Sequence, residues 1–396
     1  MKSNLKVAIV SPYPPSKCTL NEYGYHLVNH FRQNNDTKEV ILIADQLPEG
    51  QAYEFDTEGC AIDVRPVWQF NNWFNFWFIL NTIRQTKPDV VLFNIQFLSF
   101  GDKKIPAALG LLTPWLVKLF GFPSVVLLHN IMEEVDLKTA GITQNPVLAA
   151  IFRFIGTMLT RLVLQADLVA VTIAKYVEVL EKKYKVNNVA LVPHGSFELP
   201  PMPNFDLPEG PKRVMTFGKF GTYKKVEVMI EAVELVRQRS RVPLEIVIAG
   251  TDSPNKKGYL AAVQQQYANV PGLTFTGYVP EEYVPTVFNE SAVVVFPYTS
   301  TTGSSGVLHQ AGSYGKAVIL PNIGDLGQLI KEEGYAGELF EPDNAESLAD
   351  AIQKVVENDE HRRELSVQNY FAAVSLPMAD IVDWYYLHFG RLIQAA

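Results

Sequence analysis

Short apolar runs rich in β-branched residues alternate with helix-like stretches along this chain, stop at a proline-rich segment, and then start again. Val7–Val10, Val40–Ala44, Val90–Phe93, Val125–Leu128, Leu168–Val171 and Ala190–Val192 read as buried strands, with helical patterns such as Glu22–Phe31, Pro146–Leu164 and Ala174–Tyr184 between them. Parallel strands need a crossover to return the chain, and a helix usually supplies it, so this alternation implies a doubly wound parallel sheet. Leu199–Pro211 then holds Pro200, Pro201, Pro203, Pro208, Gly210 and Pro211, which reads as a stiff linker and domain boundary. Beyond it the pattern resumes with Val214–Phe217, Leu244–Ala249, Leu273–Phe275, Ala292–Pro297 and Ala317–Leu320 as strands. The expected architecture is α/β, with two Rossmann-like parallel-sheet domains over residues 1–198 and 199–377 facing each other across a cleft. Residues 378–396 carry the aromatic run around Trp384–Phe389. A length of 396 residues suits two or three domains.

Charge is divided unevenly. The whole chain is −8, yet residues 1–195 hold 18 Lys/Arg against 17 Asp/Glu while residues 196–396 hold 16 against 25. An acidic balance excludes general nucleic-acid binding, and the asymmetry suits two domains with different duties. Cys18 and Cys60 are the only cysteines, which gives neither a disulfide framework nor zinc-ligand spacing and points to a reducing cytoplasm. Met1–Lys6 followed by the strand at Val7 reads as a domain start, not a signal peptide. The uncharged stretch Pro66–Ile83 contains four Asn and one Gln and is too polar to span a bilayer.

The chemistry-bearing signal lies between Phe217 and Ala232. Lys219 and Lys224 sit five residues apart around a glycine-bearing turn, between an expected strand and an amphipathic helix. A helix start offers unpaired amides and about half a positive charge, and two lysines add full charges able to reach a diphosphate. Alone, such lysines are ordinarily solvated; the surrounding pattern gives them meaning. No Gly-x-Gly-x-x-Gly follows the first strand, Gly315-Lys316-Ala317 lacks the rest of a P-loop, and no Asp-x-Asp occurs to hold a divalent cation.

Gly218-Lys219-Phe220 through Lys224 resembles the diphosphate-gripping Gly-Arg-Leu-x-x-x-x-Lys-Gly stretch of the family-4 glycosyltransferases, which have the GT-B fold; Lys225 stands where that family usually has glycine. Val7–Pro15, Leu127-Leu-His-Asn, Ala166-Asp-Leu-Val, Val192-Pro-His-Gly, Ile248-Ala-Gly, Phe275-Thr-Gly-Tyr-Val, Gly315-Lys-Ala-Val and the run from Gly337 to Ala349 follow the family's order over essentially the whole chain. The chief departure falls between Thr299 and Val318. The family's two glutamates, with seven residues between them, correspond to Thr302 and Gln310, so both carboxylates are missing. Thr302-Gly303-Ser304-Ser305-Gly306-Val307 still forms a small-residue turn able to present amides and hydroxyls to phosphate, and Gln310 can bond ribose hydroxyls.

The resemblance implies a retaining hexosyltransferase that needs no metal or other cofactor beyond its nucleotide-sugar co-substrate, with UDP-sugar (UDP-glucose among them) favoured over GDP-sugar. Lys219, Lys224 and His129 take the catalytic positions; Gly218, Tyr278, Val279 and the turn from Thr302 to Val307 with Gln310 line the donor. His194 and His309 are weaker candidates. Gln96 and Phe97 are candidates for the acceptor pocket, and a glycan or lipid-linked glycan is the implied acceptor, in polysaccharide assembly. The aromatic cluster Trp73–Phe78 and the apolar helix Pro146–Leu164 are either core or a surface that reaches the inner membrane face. The implied setting is cytoplasmic, with the last helix packed back on the first domain. Two other readings stand beside this one: a non-catalytic nucleotide-sugar-binding module or partner subunit, and an epimerase acting on the donor.

Overall fold

The computed structural model describes residues 4–134, 145–197, 199–253, 256–300 and 304–395. They form two compact units, one built from residues up to 197 together with 378–395, the other from residues 199–377.

The first unit holds β1 (Leu5–Val10), β2 (Thr37–Asp45), β3 (Ala61–Trp68), β4 (Val90–Ile95), β5 (Ser124–Leu128), β6 (Leu168–Val171) and β7 (Val189–Leu191). Their order is β3-β2-β1-β4-β5-β6-β7, every pair parallel. The crossovers are α1 (Asn21–Gln33), α2 (Asn75–Thr86), α3 (Lys104–Leu111), α4 (Thr113–Leu119), α5 (Pro146–Val163) and α6 (Ala174–Tyr184). Central strands such as β4 and β5 are buried along their whole length, which is why they read as unbroken apolar runs. Strand order reverses between β1 and β4, so the crevice at their carboxyl ends is where a doubly wound sheet receives a ligand.

The second unit repeats the plan. Its strands are β8 (Lys212–Phe220), β9 (Leu244–Asp252), β10 (Leu273–Gly277), β11 (Val293–Val295), β12 (Ala317–Pro321) and β13 (Gly337–Phe340), in the parallel order β10-β9-β8-β11-β12-β13. Around them lie α7 (Glu227–Arg239), α8 (Tyr259–Gln266), α9 (Val284–Asn289), α10 (Gly306–Ser313), α11 (Gly324–Glu333), α12 (Ala345–Glu357) and α13 (Asp359–Val374). Here the switch falls between β8 and β11. The two Rossmann-like sheets expected from the alternation are both present.

Two strands escaped the sequence reading, β3 and β13, and both are edge strands. An edge strand has one neighbour and much exposed surface, so its composition is mixed; β3 even contains Pro66, tolerated because an edge position leaves one side of the backbone unpaired. The proline-rich segment also differs from a free spacer. The guanidinium of buried Arg362 donates to Phe205 O at 2.7 Å and Tyr370 donates to Pro200 O at 3.2 Å, which pins this extended segment onto α13 within the second unit.

The last helix, α14 (Met378–Ala395), belongs to the first unit. Its Val382, Tyr385 and Phe389 are buried in the same core as Phe31 of α1. Stacking of Phe389 on Phe31 at 6.0 Å and a 2.6 Å bond from Asn34 to Asp383 fix its seat.

Candidate functional site

Sequence reading placed Lys219 on a turn; the structure extends β8 to Phe220, so Lys219 lies on the strand, exposed and in register with Thr251 of β9. The turn is Gly221–Lys225, and it brings Lys224 back beside the strand end. Gly218 shows how closely: at φ +133° it leaves so little room that a Cβ there would stand 3.0 Å from Lys224 Nζ. Gly250 on β9 is tighter still, since a Cβ would come within 1.9 Å of Gly218 O.

Lys224 also pairs with Tyr298 in an isolated antiparallel bridge, joining the loop after β8 to the loop after β11 across the switch point. Its Nζ lies 4.6 Å from the Tyr298 ring centroid, and Tyr223 packs edge-on against Tyr298 at 5.6 Å. Tyr298 is buried, burial pushes its hydroxyl far up, and that hydroxyl is hydrogen-bonded to Ser305. Ser305 is the residue before α10, and its side chain does not cap that helix. The first amides of α10 are therefore left without a side-chain cap, as an anion site requires. Gly218, Lys224, Tyr298 and Ser305 form one continuous set of contacts at the carboxyl edge of the second sheet. Thr302 and Gly303 lie outside the described residues.

The helix that was expected to begin beside the lysines starts at Glu227, two residues after Lys225. The amide of Val226, just before it, is taken at 2.9 Å by the Tyr259 hydroxyl. Among the described residues neither α7 nor α10 has a side-chain cap on its first amides, and both helices start at the edge where strand order reverses. Gln310 sits in the second turn of α10, partly exposed. Tyr278 follows β10 and is 76 % exposed, with Val279 beside it partly buried.

His309, a weaker candidate, is turned inward and buried. Its Nε2 meets Ser304 Oγ at 3.1 Å and its Nδ1 meets the Tyr335 hydroxyl at 2.9 Å. Glu333 Oε2 lies 3.5 Å from Nε2. Burial, with Glu332 adding to it, raises the Glu333 carboxyl to about 8, so it is largely protonated at neutral pH. Sequence reasoning missed Glu333 and Tyr335, which come from the end of α11 and carry no motif of their own.

In the first unit His129 follows β5 immediately. Asn94 Nδ2 donates to Ser11 Oγ at 2.9 Å and Ser11 donates to Pro12 O at 2.7 Å, so Asn94 turns its carbonyl oxygen to His129 Nε2 at 2.6 Å. An amide oxygen only accepts, so Nε2 carries the proton and Nδ1 keeps a lone pair. The network spans β1, β4 and β5 at the first unit's switch point. Burial, and secondarily His194, lowers His129 to about 3, so its imidazole is neutral at physiological pH. His194 is buried, lowered to about 4 by burial, and packed 4.8 Å from Tyr23, as a structural residue of the Pro-His-Gly turn. Phe97 is turned into the unit at 6 % exposure and Leu98 outward at 56 %; Gln96 is partly exposed, its amide held by Ser99 Oγ.

Among the described residues no group of three or more His, Cys, Asp or Glu is placed to hold a metal ion.

Residues 211–358 match the sequence family described as "Glycosyl transferases group 1", and these residues contain Gly218, Lys224, Tyr298 and Ser305. The matched residues make up most of the second unit. An O-antigen chain mannosyltransferase C from Escherichia coli is 26 % identical over 144 residues, a match that spans 36 % of this chain and 36 % of that protein. Sucrose-phosphate synthase from Thermosynechococcus elongatus superposes over 99 % of this chain and 100 % of its own, with a TM-score of 0.75 at 16 % identity. Anabaena HepE in complex with UDP-glucose covers 99 % of this chain and 100 % of its own, with a TM-score of 0.65 at 14 % identity. At these identities the likeness establishes the fold, and the chain has the GT-B architecture. Within the matched residues, the lysine and helix-start arrangement occupies the switch point of the sheet.

Proposed function

We propose that this chain is a retaining, metal-independent glycosyltransferase that moves a hexosyl unit from a nucleotide sugar to a glycan or lipid-linked glycan in surface-polysaccharide assembly. The observation that carries the reading is the contact set Gly218–Lys224–Tyr298–Ser305 at the β8/β11 switch, inside the residues that match the glycosyl transferase family. A diphosphate seated there meets the Lys224 ammonium and the open amides of α10, with Lys219 exposed on the strand beside it. UDP is the favoured nucleotide, on the likeness to the Anabaena protein in complex with UDP-glucose.

The chemistry follows from where charge develops. As the bond from the anomeric carbon to the phosphate oxygen breaks, its electron pair stays on the nucleoside diphosphate. The acceptor oxygen bonds to the anomeric carbon on the same face, and its proton passes to the departing phosphate oxygen. Stabilisation is therefore needed at phosphate, and a lysine about 4 Å away supplies up to about 4 kcal/mol before desolvation at an effective dielectric near 20. His129, neutral and holding a lone pair on Nδ1, suits a hydrogen bond from a sugar hydroxyl.

A second reading, a nucleotide-sugar-binding module without transferase activity, is favoured by Gln310 in place of a carboxylate. Release of nucleoside diphosphate from UDP-sugars in the presence of lipid-linked glycan separates the two. Release that depends on acceptor and is lost in Lys224→Ala supports transfer. Donor binding with no acceptor-dependent release supports the module and sinks the enzyme reading.

A further inference from the structure

The carboxyl edge of the first sheet carries an unusual surface. Thirteen of the twenty-two exposed large apolar side chains among the described residues fall between Phe70 and Phe154, so the exposure is concentrated, not scattered. Trp73, Phe74 (62 % exposed) and Trp77 stand at the start of α2, and Val147, Ile151 and Phe154 (65 % exposed) form an i, i+4, i+7 stripe on the first half of α5. A helix returning the chain from one parallel strand to the next begins at the carboxyl edge, so both amino ends lie on the edge that holds His129 and Asn94. Helices α2, α3 and α5 are in contact in turn, α3 touching both others. The Lys104 ammonium lies 4.8 Å from the Phe152 ring, tying α3 to α5.

Charge identifies the occupant. Helices α2 to α5 carry no Asp or Glu, in a chain whose net charge is −8. Lys104 opens α3 and Arg153 lies in the first half of α5, toward this edge, whereas Arg84, Lys118 and Arg161 stand in the last turns of their helices, toward the opposite one. A second copy of the chain docking on this face would set cations against cations. An apolar surface under a negative layer of headgroups satisfies both the aromatics and the cations. Among the described residues α5 is the one helix long and apolar enough to cross a membrane, and only 17 % of it is buried. It does not span one: Gly156, Thr160 and Val163 are buried against the unit, and β6, which follows it, is paired beside β5, which precedes it.

We propose that this edge of the first unit rests on an anionic lipid bilayer, with the aromatics before and within α2 and the α5 stripe entering the headgroup boundary. Delivery of a lipid-linked acceptor beside His129 rests on the glycosyltransferase reading; the docking itself does not. The test is co-sedimentation of the full chain with vesicles of phosphatidylcholine alone and of phosphatidylcholine mixed with phosphatidylglycerol, with tryptophan emission as a second readout. Binding to mixed vesicles is expected to exceed binding to neutral ones by about tenfold or more, to weaken with salt and to shift the emission to the blue. Trp77→Ser with Phe154→Ser, and separately Arg153→Glu with Lys104→Glu, should each reduce it about tenfold while leaving the thermal transition and donor binding unchanged. No partition into mixed vesicles, equal partition into both kinds, or indifference to both variant pairs overturns the proposal. Self-association abolished by the same variants, without vesicle binding, makes the face a dimer interface and overturns it as well. Vesicle binding retained in Lys224→Ala keeps this outcome separate from that of the donor site.

Discussion

The ammonium of Lys224 lies 4.6 Å from the centre of the Tyr298 ring, although the two residues are more than seventy positions apart. The bridge between their backbones closes the crevice where strand order reverses in the second sheet. A cation over a buried aromatic face is held by the ring quadrupole, an interaction of about 2 kcal/mol when desolvated. Lys224→Ala should lower kcat/KM at least tenfold while the melting temperature falls by only about 2–4 °C, because a phosphate-directed charge and its contact with the ring are lost and the rest of the core stays packed. Tyr298→Phe keeps the ring beneath the lysine and removes only the hydroxyl bonded to Ser305, so its effect should be smaller. Steady-state kinetics with thermal melts on both variants checks the order; equal and negligible effects remove Lys224 from the site.

Glycine at 218 and at 250 fails differently when changed. Gly218→Ala brings a methyl to 3.0 Å from Lys224 Nζ at a positive φ, so it should weaken donor binding and cost about 1–3 kcal/mol of stability. Gly250→Ala drives the methyl to 1.9 Å from Gly218 O, a backbone atom that cannot swing aside. It should lower the melting temperature more than Gly218→Ala does. Melting curves of the pair decide it, and equal stability of the two variants contradicts the close strand approach.

Much of this was legible in the sequence, and the reason is burial. Strands β4 and β5 are covered on both faces, so their composition is apolar throughout and easily read. Edge strands β3 and β13 carry mixed composition and were missed. Lys224 was found because its spacing from Gly218 and Lys219 is local. The Tyr298 and Glu333 relationships were not, since they join residues from different crossovers and only the sheet order brings those together. Asn94 likewise gave no signal, because an asparagine inside an apolar strand reveals its role only once β5 places His129 beside it.

Neutral His129 gives the pH dependence of any reaction it serves a particular form. With the imidazole lowered to about 3, protonation of this residue should leave no acid limb in kcat between pH 5 and 8. Asn94→Asp replaces the amide oxygen facing Nε2 with a carboxylate, and a charge that close raises a histidine by about 1–3 pK units. The variant should therefore acquire a limb at a higher pH than the wild type shows. The kcat profile of both proteins tests this, with an unchanged profile in Asn94→Asp counting against the tautomer assignment.

Gln310 stands in the second turn of α10, where the family resemblance read from the sequence implies a carboxylate. Gln310→Glu restores a charge-assisted acceptor, a gain of about 1–2 kcal/mol if the amide bonds ribose hydroxyls. Isothermal titration with UDP should show affinity kept or raised up to about tenfold. A large loss places Gln310 away from the nucleotide.

Glu333 makes stability fall as pH rises. Its carboxyl, ordinarily near 4.5, is raised to about 8 in the folded chain, chiefly by burial. Between those values the folded protein holds a proton that the unfolded chain has released, so the unfolded state binds fewer protons and unfolding becomes easier with increasing pH. The contribution is complete below about 4.5 and is lost as pH climbs through about 8. His309 at 3.5 Å is the basic group that faces it, while Glu332 opposes ionisation. Glu333→Gln holds the side chain neutral at every pH, so the difference in melting temperature between variant and wild type should widen in the variant's favour from pH 5 to pH 8. Differential scanning calorimetry across that range measures it. A difference that stays constant means that Glu333 is ionised throughout and that His309, carrying the opposite charge, holds it so.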